Sequence, residues 1–414
     1  MFFIYQIVAV LASKIVVLLA FFSPKMKLFV DGRKNVWQQI NTHIAPSDRT
    51  IWVHAASLGE YEQGLPIMEG LMQQFPNHKL VLTFFSPSGF EVRKNNHLAH
   101  LTLYLPLDTL SNAQKFVQLV HPEMAFFIKY EFWPHYLQQL QAHHVKTYLI
   151  SGIFRKNQVF FKWYGGFYRQ ALQAFDHFFV QNESAKTLLQ QMGFQNSTVS
   201  GDTRFDRVVT ILEQDNTLDF IEKFTNQQTT IVMGSTWKKD EELLVAYLNQ
   251  APQNIKFIIA PHQIKPEQIA YLQASITKKN ILFSNKNQHD LSNYDVFIVD
   301  TIGILTKIYQ YANIAYVGGG FGHPGVHNIL EPATFGVPIV IGPHYSHFAE
   351  ATALVQMGGC VTIQDAATLK EAFDLLLQND DVRHEKGYIC HTFVQMNKGA
   401  TALVLAKIKS FFTK

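Results

Sequence analysis

Short hydrophobic runs alternate with amphipathic segments along most of this chain. The runs at 50–55 and 79–84 are apolar and β-prone, and each is followed by a segment with helical hydrophobic periodicity. This order predicts repeated β–α units, which build a parallel, doubly wound sheet with helices on both faces. The pattern stops in the polar segment 215–228 and restarts at 230–234, so we expect a linker and then a second domain of the same kind.

These boundaries divide the 414 residues into four parts. We expect an N-terminal helix at 1–30, one Rossmann-like domain at 31–214, a second at 229–395 and a C-terminal helix at 396–414. Two such domains agree with a typical size of about 150 residues per domain. If the two domains face each other, a cleft lies at the carboxyl ends of both sheets, where ligands of such sheets bind.

The N-terminal segment 2–22 is almost entirely apolar. Its length is close to the ~20 residues that a helix needs to span a bilayer, but Lys14 lies near its middle. A shallow interfacial helix with Lys14 reaching the headgroups is therefore an equal alternative, and a buried helix is a third. A basic cluster follows and favours anionic lipid on the cytoplasmic side of a membrane: Lys25, Lys27, Arg33 and Lys34.

Composition and motif content exclude several functions. A net charge of +3 over the whole chain gives no basis for nucleic-acid binding. Cys360 and Cys390 have neither metal-ligand spacing nor a disulfide framework, which favours a reducing compartment. There is no H-E-x-x-H, C-x-x-C or strand-end D-x-D motif, so we expect no tightly bound metal and no other cofactor.

The segment 313–342 carries the densest group of candidate binding residues. A buried strand leads into a loop with five glycines, including Gly319 and Gly320, and then into a short helix whose start is limited by Pro332. N–H groups at such a loop and helix start favour a phosphate, so we expect a nucleotide site. Glu331, in the first helical turn, is suited to accept hydrogen bonds from ribose hydroxyls. The alternative is a tight turn whose glutamate only favours the helix dipole.

Two further strand ends in the second half add polar groups to this nucleotide site. His327 and Asn328 lie in the glycine loop itself, Ser235 follows the strand 230–234, and His262 follows the next strand. Ser235 could contact phosphate or cap the helix after it, and the sequence leaves both open. We expect these side chains to line the nucleotide site.

Glu60 is the first candidate for acid–base chemistry. It follows the first strand in the sequence HAASLGE, at the carboxyl end where sheets of this kind carry their sites. The rival interpretation is structural, because Ser57 and Glu60 have the S-x-x-E spacing of a capping box. We expect Pro66 to disfavour one continuous helix from Ser57, since the proline would lie well past the first turn. Both interpretations of Glu60 stay open.

Glu131, in KYEFWPHY, follows a later strand of the same half. The two glutamates could form an acid–base pair in which one tunes the other, whereas the alternative places Glu131 in a surface turn. Several cations could attract an anionic substrate, although each alone could be a solvated surface charge: Lys129, Arg155, Lys156, Arg169 and Arg204. The run FFKWYGGFYR at 160–169 is typical of a membrane interface or of helix packing.

Taken together, these motifs resemble one family. HAASLGE, EFWP, GSTWKKDEE, HNILEPATFGVP and GPHYSHFAEA occur in the order found in the lipopolysaccharide 3-deoxy-D-manno-octulosonic acid (Kdo) transferases. The resemblance covers nearly the whole chain, including the apolar N-terminal segment. It implies a GT-B fold and an inverting, metal-independent glycosyltransferase that moves Kdo from CMP-Kdo to a lipid A precursor (lipid IVA) in lipopolysaccharide core biosynthesis. It also implies a location at the cytoplasmic face of the inner membrane, in contact with inner-membrane lipids.

The resemblance assigns roles to individual residues. Glu60 matches the family's catalytic base, which deprotonates the acceptor hydroxyl, and Glu131 matches the acidic residue that supports this base. The segment 319–328 and Glu331 match the CMP-binding region. Contacts to the acceptor or to phosphate are expected from three cations, of which the last belongs to a basic–acidic pair with Asp206: Lys129, Arg155 and Arg204.

Three motifs depart from the family pattern. G-G-H-N reads GVHN at 325–328, the arginine expected after Pro261 is His262, and N-A-R-L-S reads SGIFR at 151–155. These differences affect the expected phosphate and acceptor contacts, and they leave rivals open. The chain could be a GT-B glycosyltransferase or epimerase that uses a UDP-sugar, or an inactive relative that acts as a membrane scaffold. These motifs do not determine the number of Kdo units, the acylation and phosphorylation of the acceptor, or the oligomeric state.

Overall fold

The computed structural model describes residues 2–323 and 325–412, which form two compact units. The first unit extends to Arg207 and includes the chain again from Lys398 onward, and the second unit is Val208–Asn397. The predicted linker 215–228 is wrong as a description of this segment, because it contains the helix Asp219–Thr225. Ile221 and Phe224 of this helix are fully buried in the core of the second unit, so the segment is part of that unit.

The first unit is a seven-stranded parallel sheet with helices on both faces. Its strands are β1 (Arg49–Ala55), β2 (His78–Phe84), β3 (Leu101–Tyr104), β4 (Pro122–Ile128), β5 (Lys146–Gly152), β6 (His177–Val180) and β7 (Ser197–Val199). Its helices are α1 (Phe2–Leu19), α2 (Pro24–Asp31), α3 (Val36–His43), α4 (Leu58–Gln74), α5 (Pro87–Arg93), α6 (Leu110–Val120), α7 (Pro134–Ala142), α8 (Gly166–Leu172), α9 (Glu183–Gln191) and α10 (Thr203–Val209).

The second unit repeats this architecture with seven further parallel strands. They are β8 (Thr229–Thr236), β9 (Ile255–Pro261), β10 (Asn280–Leu282), β11 (Val296–Ile298), β12 (Ile314–Val317), β13 (Ile339–Ile341) and β14 (Cys360–Thr362). The helices are α11 (Asp219–Thr225), α12 (Lys238–Gln250), α13 (Pro266–Ser275), α14 (Leu305–Ile308), α15 (Leu330–Thr334), α16 (Ala349–Met357), α17 (Ala366–Gln378) and α18 (Asp380–Asn397). The chain then returns to the first unit with α19 (Ala400–Phe412).

The strand orders locate a topological switch point in each sheet. The first sheet has the order β3-β2-β1-β4-β5-β6-β7, and the second has β10-β11-β9-β8-β12-β13-β14. The chain winds outward in opposite directions from β1 and β4, and likewise from β8 and β12. The loops that follow these two strand pairs therefore diverge at the carboxyl edge and leave a crevice, where ligands of such sheets bind.

Both faces of the first sheet are buried, which explains why its strands are continuous apolar runs in the sequence. Trp52 and Phe127 point to one core, and the alternating neighbours Val53 and Phe126 point to the other. The second core also receives α19, whose Val404 and Ile408 are fully buried.

Within the described part of the predicted C-terminal helix 396–414, the chain is divided between two helices, because α18 ends at Asn397 and α19 begins at Ala400. Gly399 has φ +110°, a backbone conformation that glycine adopts at little cost. Asp206 accepts hydrogen bonds from the backbone N–H groups of Gly399 (2.6 Å) and Thr401 (2.8 Å) and so caps α19.

The N-terminal apolar segment forms α1, which packs against the first unit on one side only. Tyr5 donates a hydrogen bond to Asp108 (2.6 Å), and the Gln6 side chain accepts one from the backbone N–H of Leu110 (3.1 Å). The opposite side is exposed and apolar, with Ile4, Ile7, Val8, Leu11 and Ile15. No helix in the described part of the chain combines the length and apolar character needed to cross a membrane.

Candidate active site

Glu60 lies in the first turn of α4, directly after β1 at the switch point of the first sheet. The expectation that Pro66 would interrupt this helix is wrong, because α4 is continuous over Leu58–Gln74. A proline inside a helix costs about 3 kcal/mol. The fully buried side chains Ile67 and Met68 each contribute about 1.5–3 kcal/mol, so packing outweighs the local penalty.

The capping interpretation of Glu60 does not describe its contacts. Ser57 is the N-cap residue of α4, but its side chain makes no capping hydrogen bond to the backbone. The Ser57 hydroxyl instead donates to Oε2 of Glu60. Glu60 is only 7% exposed, so this carboxylate is held in a fixed position with limited access to water. A held carboxylate with free lone pairs is suited to accept a proton from a bound hydroxyl.

The loop after β4 places Glu131 beside the same switch point. Lys129 begins the loop with φ +72°, a strained conformation for a residue with a side chain, and its N–H donates to the carbonyl of Ile150 (2.8 Å). The Glu131 side chain is only 12% exposed, so the alternative of a surface turn is wrong. Its Oε2 lies 3.7 Å from Nε2 of His54, which is fully buried on β1.

His54 is fixed by hydrogen bonds on both ring nitrogens. The indole N–H of Trp133 donates to Nε2 of His54 (3.0 Å), and Nδ1 of His54 lies 2.9 Å from the Thr83 hydroxyl. An indole nitrogen can only donate, so Nε2 must be the acceptor and Nδ1 must carry the proton. Thr83 also accepts from the Trp52 indole (2.8 Å). We infer a neutral imidazole that positions the Glu131 segment through Trp133 rather than a charged partner of Glu131.

Tyr130 connects the separate candidates of the first unit. Partial burial raises the pKa of the Tyr130 phenol, the charges of Glu60 and Glu131 raise it further, and Arg155 acts in the opposite direction. These effects place Glu60, Glu131 and Arg155 around one side chain, which is 42% exposed. Tyr130 is not among the residues predicted from the sequence, although it lies between two of them in KYE. Nζ of Lys129 lies 5.2 Å from the centroid of the same ring.

Arg204 is not free to act as an independent cation. Its Nε and Nη2 donate to Oδ2 of Asp202 at 2.9 and 2.7 Å, a two-pronged pairing that fixes the guanidinium. Burial alone would raise the pKa of Asp202, but the charge and hydrogen bonds of Arg204 outweigh it and lower the pKa. Gln63 on α4 donates to Asp202 as well (2.8 Å). Arg204 therefore acts on the site indirectly: it fixes Asp202, and Asp202 is bonded to α4, the helix that carries Glu60.

The other predicted cations separate into two groups. Arg155 and Lys156 are exposed after β5, as a substrate contact requires. Arg169 instead donates to the carbonyl of Phe160 (2.6 Å) and stabilises its own segment. Within the run 160–169, Phe160 is buried while Trp163 is 92% exposed, so this run both packs and presents an aromatic surface.

In the second unit, three rings stack at the switch point between β8 and β12. The His262 and His327 ring centroids are 4.2 Å apart, and Trp237 lies 4.7 Å from His262. The Trp237 indole donates to Nε2 of His327 (2.7 Å), which requires a neutral His327 acceptor. Burial and the neighbouring His262 lower the pKa of His327 to about 4, and burial lowers the pKa of His262.

The glycine loop is explained in large part by packing. A side chain at Gly318 would lie 2.4 Å from the carbonyl of Ser235, and one at Gly320 would lie 2.7 Å from Cα of Gly342. The N–H of Gly319 donates to Asp240 (2.9 Å), so this N–H already has a partner within the protein. The Asp240 carboxylate is thus the hydrogen-bond acceptor for this N–H. No sequence pattern predicted this contact, because the two residues are far apart along the chain.

Ser235 and Asn328 both lie close to the glycine loop. Ser235 has φ +53° where β8 ends, and the N-cap of α12 is Trp237, so Ser235 does not cap that helix. Asn328 donates to Oε1 of Glu331 (3.0 Å). A non-glycine residue with positive φ at the switch point marks local backbone strain of the kind found at functional sites.

Glu331 lies in the first turn of α15, as the sequence predicts. Its Oε2 accepts from the Thr306 hydroxyl (2.9 Å), so both carboxylate oxygens are oriented by neighbours. A carboxylate oriented in this way is of the kind that recognises sugar hydroxyls. Across the described residues, there is no group of three or more His, Cys, Asp or Glu side chains that could hold a metal ion.

The chain is similar in sequence to a set of bacterial transferases. Residues 32–207 match the family described as 3-deoxy-D-manno-octulosonic-acid transferase (kdotransferase). The 3-deoxy-D-manno-octulosonic acid transferase of Chlamydophila psittaci is 29% identical over 348 residues, covering 80% of this chain and 78% of that protein. The transferase of the same name from Rickettsia bellii is 25% identical over 90% of both chains. That from Haemophilus influenzae is 24% identical over 89% of this chain and 88% of its own.

Solved structures of known proteins share the fold. The UDP-GlcNAc 2-epimerase of Neisseria meningitidis bound to UDP-GlcNAc has a TM-score of 0.62 at 13% identity, covering 87% of this chain and 100% of that one. MurG of Acinetobacter baumannii has a TM-score of 0.54 at 14% identity, covering 88% and 99%. At such identities the likeness establishes the fold alone.

The two doubly wound sheets and the likeness to these solved structures define a GT-B fold. The sequence similarity to the Kdo transferases supports an enzyme of the glycosyltransferase class. Within that class, the chain is similar to the 3-deoxy-D-manno-octulosonic acid (Kdo) transferases, through the family match over residues 32–207 and through relatives that are 24–29% identical over most of the chain.

Proposed function

We propose that this enzyme transfers Kdo from CMP-Kdo to a lipid A precursor, lipid IVA, in lipopolysaccharide core biosynthesis. The observation that carries the proposal is the pair of largely buried carboxylates, Glu60 and Glu131, after the neighbouring strands β1 and β4 at the switch point of the first sheet, with the exposed Arg155 after the adjacent strand β5. This group combines a buried proton acceptor with a cation for an anionic acceptor lipid. The relatives named as Kdo transferases supply the sugar, and the nucleotide follows from the motif resemblance.

In the proposed reaction, Glu60 is the general base. The acceptor hydroxyl oxygen attacks the anomeric carbon of Kdo on the face opposite the leaving group, and Oε1 or Oε2 of Glu60 takes the hydroxyl proton. The bond between the anomeric carbon and the phosphate oxygen breaks, and CMP leaves with the electron pair. Because Glu60 accepts the proton as the bond breaks, its position beside the acceptor hydroxyl is what the reaction requires.

Glu131 supports the base from the neighbouring loop. Its placement depends on the Trp133 indole bonded to His54 and on the strained Lys129 that starts the loop. Lys129 and Arg155 provide positive charge for phosphate groups of the acceptor. Arg204 acts indirectly, because its pairing with Asp202 anchors α4, which carries Glu60.

The donor is proposed to bind at the switch point of the second sheet. Glu331, oriented by Thr306 and Asn328, accepts hydrogen bonds from the ribose hydroxyls. The stacked rings of His262 and His327 are proposed to contact the phosphate of the donor. Ser235, Gly319 and Gly320 would border the same part of the site, without a contribution from the N–H of Gly319, which is bonded to Asp240. Charge on the leaving phosphate would be met by neighbouring backbone N–H groups.

The exposed side of α1 is proposed to lie on the cytoplasmic face of the inner membrane. Its apolar side chains face away from the first unit. The exposed Trp163 and Tyr164 precede α8, and α8 contacts α1 through Phe167 and Tyr5, whose ring centroids are 5.2 Å apart. Lysines adjoining this surface would contact anionic headgroups: Lys14, Lys25 and Lys27.

A donor competition assay tests the proposed nucleotide. CMP and UDP are added in turn to the full chain, and each dissociation constant is measured by calorimetry, with Glu331→Gln as the variant. We expect CMP to bind more tightly than UDP, and Glu331→Gln to weaken CMP binding about tenfold, the loss of one charged hydrogen bond. Preference for UDP would support the UDP-sugar alternative and contradict the proposal.

A further inference from the structure

Asp108 joins three separate segments of the first unit. Its Oδ2 accepts hydrogen bonds from the Tyr5 hydroxyl (2.6 Å) and from the backbone N–H of His135 (3.2 Å). Its Oδ1 accepts from the backbone N–H of Tyr136 (3.1 Å). Asp108 is almost fully buried, so these three bonds replace water around the carboxylate.

The two backbone donors belong to the first turn of α7, which follows the Glu131 segment without a gap. The N-cap residue of α7 is Trp133, whose side chain makes no capping bond because its indole can only donate. Asp108 supplies the missing acceptor from another part of the chain and places a negative charge at the helix start. The segment from Glu131 to Trp133 is therefore held by His54 on one side and by Asp108 on the other.

Tyr5 ties the same carboxylate to the N-terminal helix. The Tyr5 ring lies 5.1 Å from the His135 ring and 5.2 Å from the Phe167 ring, so the whole side chain is inserted between α7 and α8. Gln6 adds a second bond from α1 to the N–H of Leu110, two residues after Asp108. Burial raises the pKa of Asp108, so loss of the Tyr5 donor leaves an expensive buried charge.

We propose that Tyr5 and Asp108 are positioning residues for the Glu131 segment, so that full transfer activity requires α1 to be seated on the first unit. The chemistry remains with Glu60 and Glu131. Seating of α1 completes the hydrogen bonds of Asp108, Asp108 fixes the first turn of α7, and α7 fixes the loop that carries Glu131. This proposal rests on the proposed function for its kinetic part only, since the positional part concerns backbone hydrogen bonds.

The test compares three variants of the full chain by amide hydrogen exchange and by steady-state transfer. Tyr5→Phe removes the hydroxyl and keeps the ring, and Asp108→Asn removes one charged acceptor. Tyr168→Phe is the matched control, because its ring also contacts Tyr5 (6.3 Å) while the Tyr5–Asp108 bond stays intact. Exchange is followed at the amides of His135 and Tyr136, and transfer is measured well below the unfolding temperature.

We expect exchange at these two amides to rise about tenfold in Tyr5→Phe and further in Asp108→Asn, with Tyr168→Phe unchanged. We expect kcat to fall about tenfold in both variants while KM for CMP-Kdo stays constant, because the donor binds to the other unit. Wild-type exchange in Asp108→Asn, or faster exchange with an unchanged kcat, would overturn the proposal. A uniform rise over the whole first unit with unchanged kcat would show a role in stability alone. Absence of Kdo transfer by the wild type would contradict the proposed function, whereas the exchange result would still decide whether Asp108 holds α7.

Discussion

The bond between Trp133 and His54 makes a quantitative prediction about the buried part of the site. Trp133→Phe removes the indole N–H and leaves Nε2 of His54 as a buried acceptor without this donor. Such a loss costs about 1–3 kcal/mol. His54→Phe likewise removes a partner from both Trp133 and Thr83 and has a cost of about the same size.

The double variant separates this hydrogen bond from simple packing effects. When both partners become phenyl rings, neither group needs a hydrogen bond, and such paired replacements are close to neutral. We therefore expect the double variant to be more stable than the sum of the single effects by about 1–3 kcal/mol. Trp52→Phe combined with Trp133→Phe is the comparison pair, because both side chains donate but not to each other.

Native-state hydrogen exchange of the β1 and β2 amides is the suitable assay, because a chain with two units does not satisfy a single two-state unfolding model. Additive free energies in the His54 and Trp133 cycle would refute the reasoning. Additivity would mean that Nε2 of His54 is not the acceptor of the indole, and that the imidazole interacts directly with Glu131 instead.

Three further predictions concern other parts of the chain. Lowering the pH from 6.5 to about 4 should destabilise the second unit, because His327 stays neutral in the folded state and takes up a proton in the unfolded state. In thermal melts, His327→Gln should reduce this pH dependence of stability. Arg204→Gln should destabilise the first unit by about 3–5 kcal/mol in urea, because Asp202 loses its buried partner. Gly320→Ala should weaken CMP binding at least about tenfold in calorimetry, because the new Cβ would meet Gly342 at 2.7 Å and displace the loop.

Matched controls make these three predictions specific. For the acid transition, His344→Gln changes an exposed imidazole near the same loop and should leave the pH dependence in place. For the ion pair, Arg155→Gln removes an exposed cation and should leave stability within about 0.5 kcal/mol. For the loop, Gly166→Ala adds a Cβ whose nearest neighbour is the flexible end of Arg169 at 3.6 Å, and CMP binding should not change. A loss as large in a control as in its test variant would contradict the corresponding explanation.

The sequence predicted both sheets because strands buried on two faces leave short, continuous apolar runs, and these alternate with amphipathic segments along the chain. It also placed Glu331 in a first helical turn, since Pro332 has few tolerated positions in a helix. Local rules failed where tertiary packing decided the outcome. Pro66 is tolerated because its helix is buried, and the polar segment 215–228 folds because two apolar side chains reach a core.

The site was predictable in its location and less so in its connections. Strand ends indicated Glu60 and Glu131, but no local pattern indicated that Asp240 occupies the N–H of Gly319 or that Asp202 pairs with Arg204. Such partners are brought together by the order of strands in the sheet. The amphipathic pattern of α19 likewise predicts a helix without indicating which of two sheets it covers.

The central claim is that Glu60 is the base of a Kdo transfer. The direct test measures transfer of Kdo to a tetraacylated lipid A precursor, with the donor CMP-Kdo generated in the assay. Glu60→Gln keeps an acceptor for the Ser57 hydroxyl but cannot take a proton, and Glu62→Gln on the same helix is the control because its partners are Arg93 and Arg207. We expect wild type and Glu62→Gln to form product and Glu60→Gln to be slower by about 10²–10⁴-fold. Equal rates in wild type and Glu60→Gln would remove Glu60 as the base, and no product from wild type would contradict the assigned donor or acceptor.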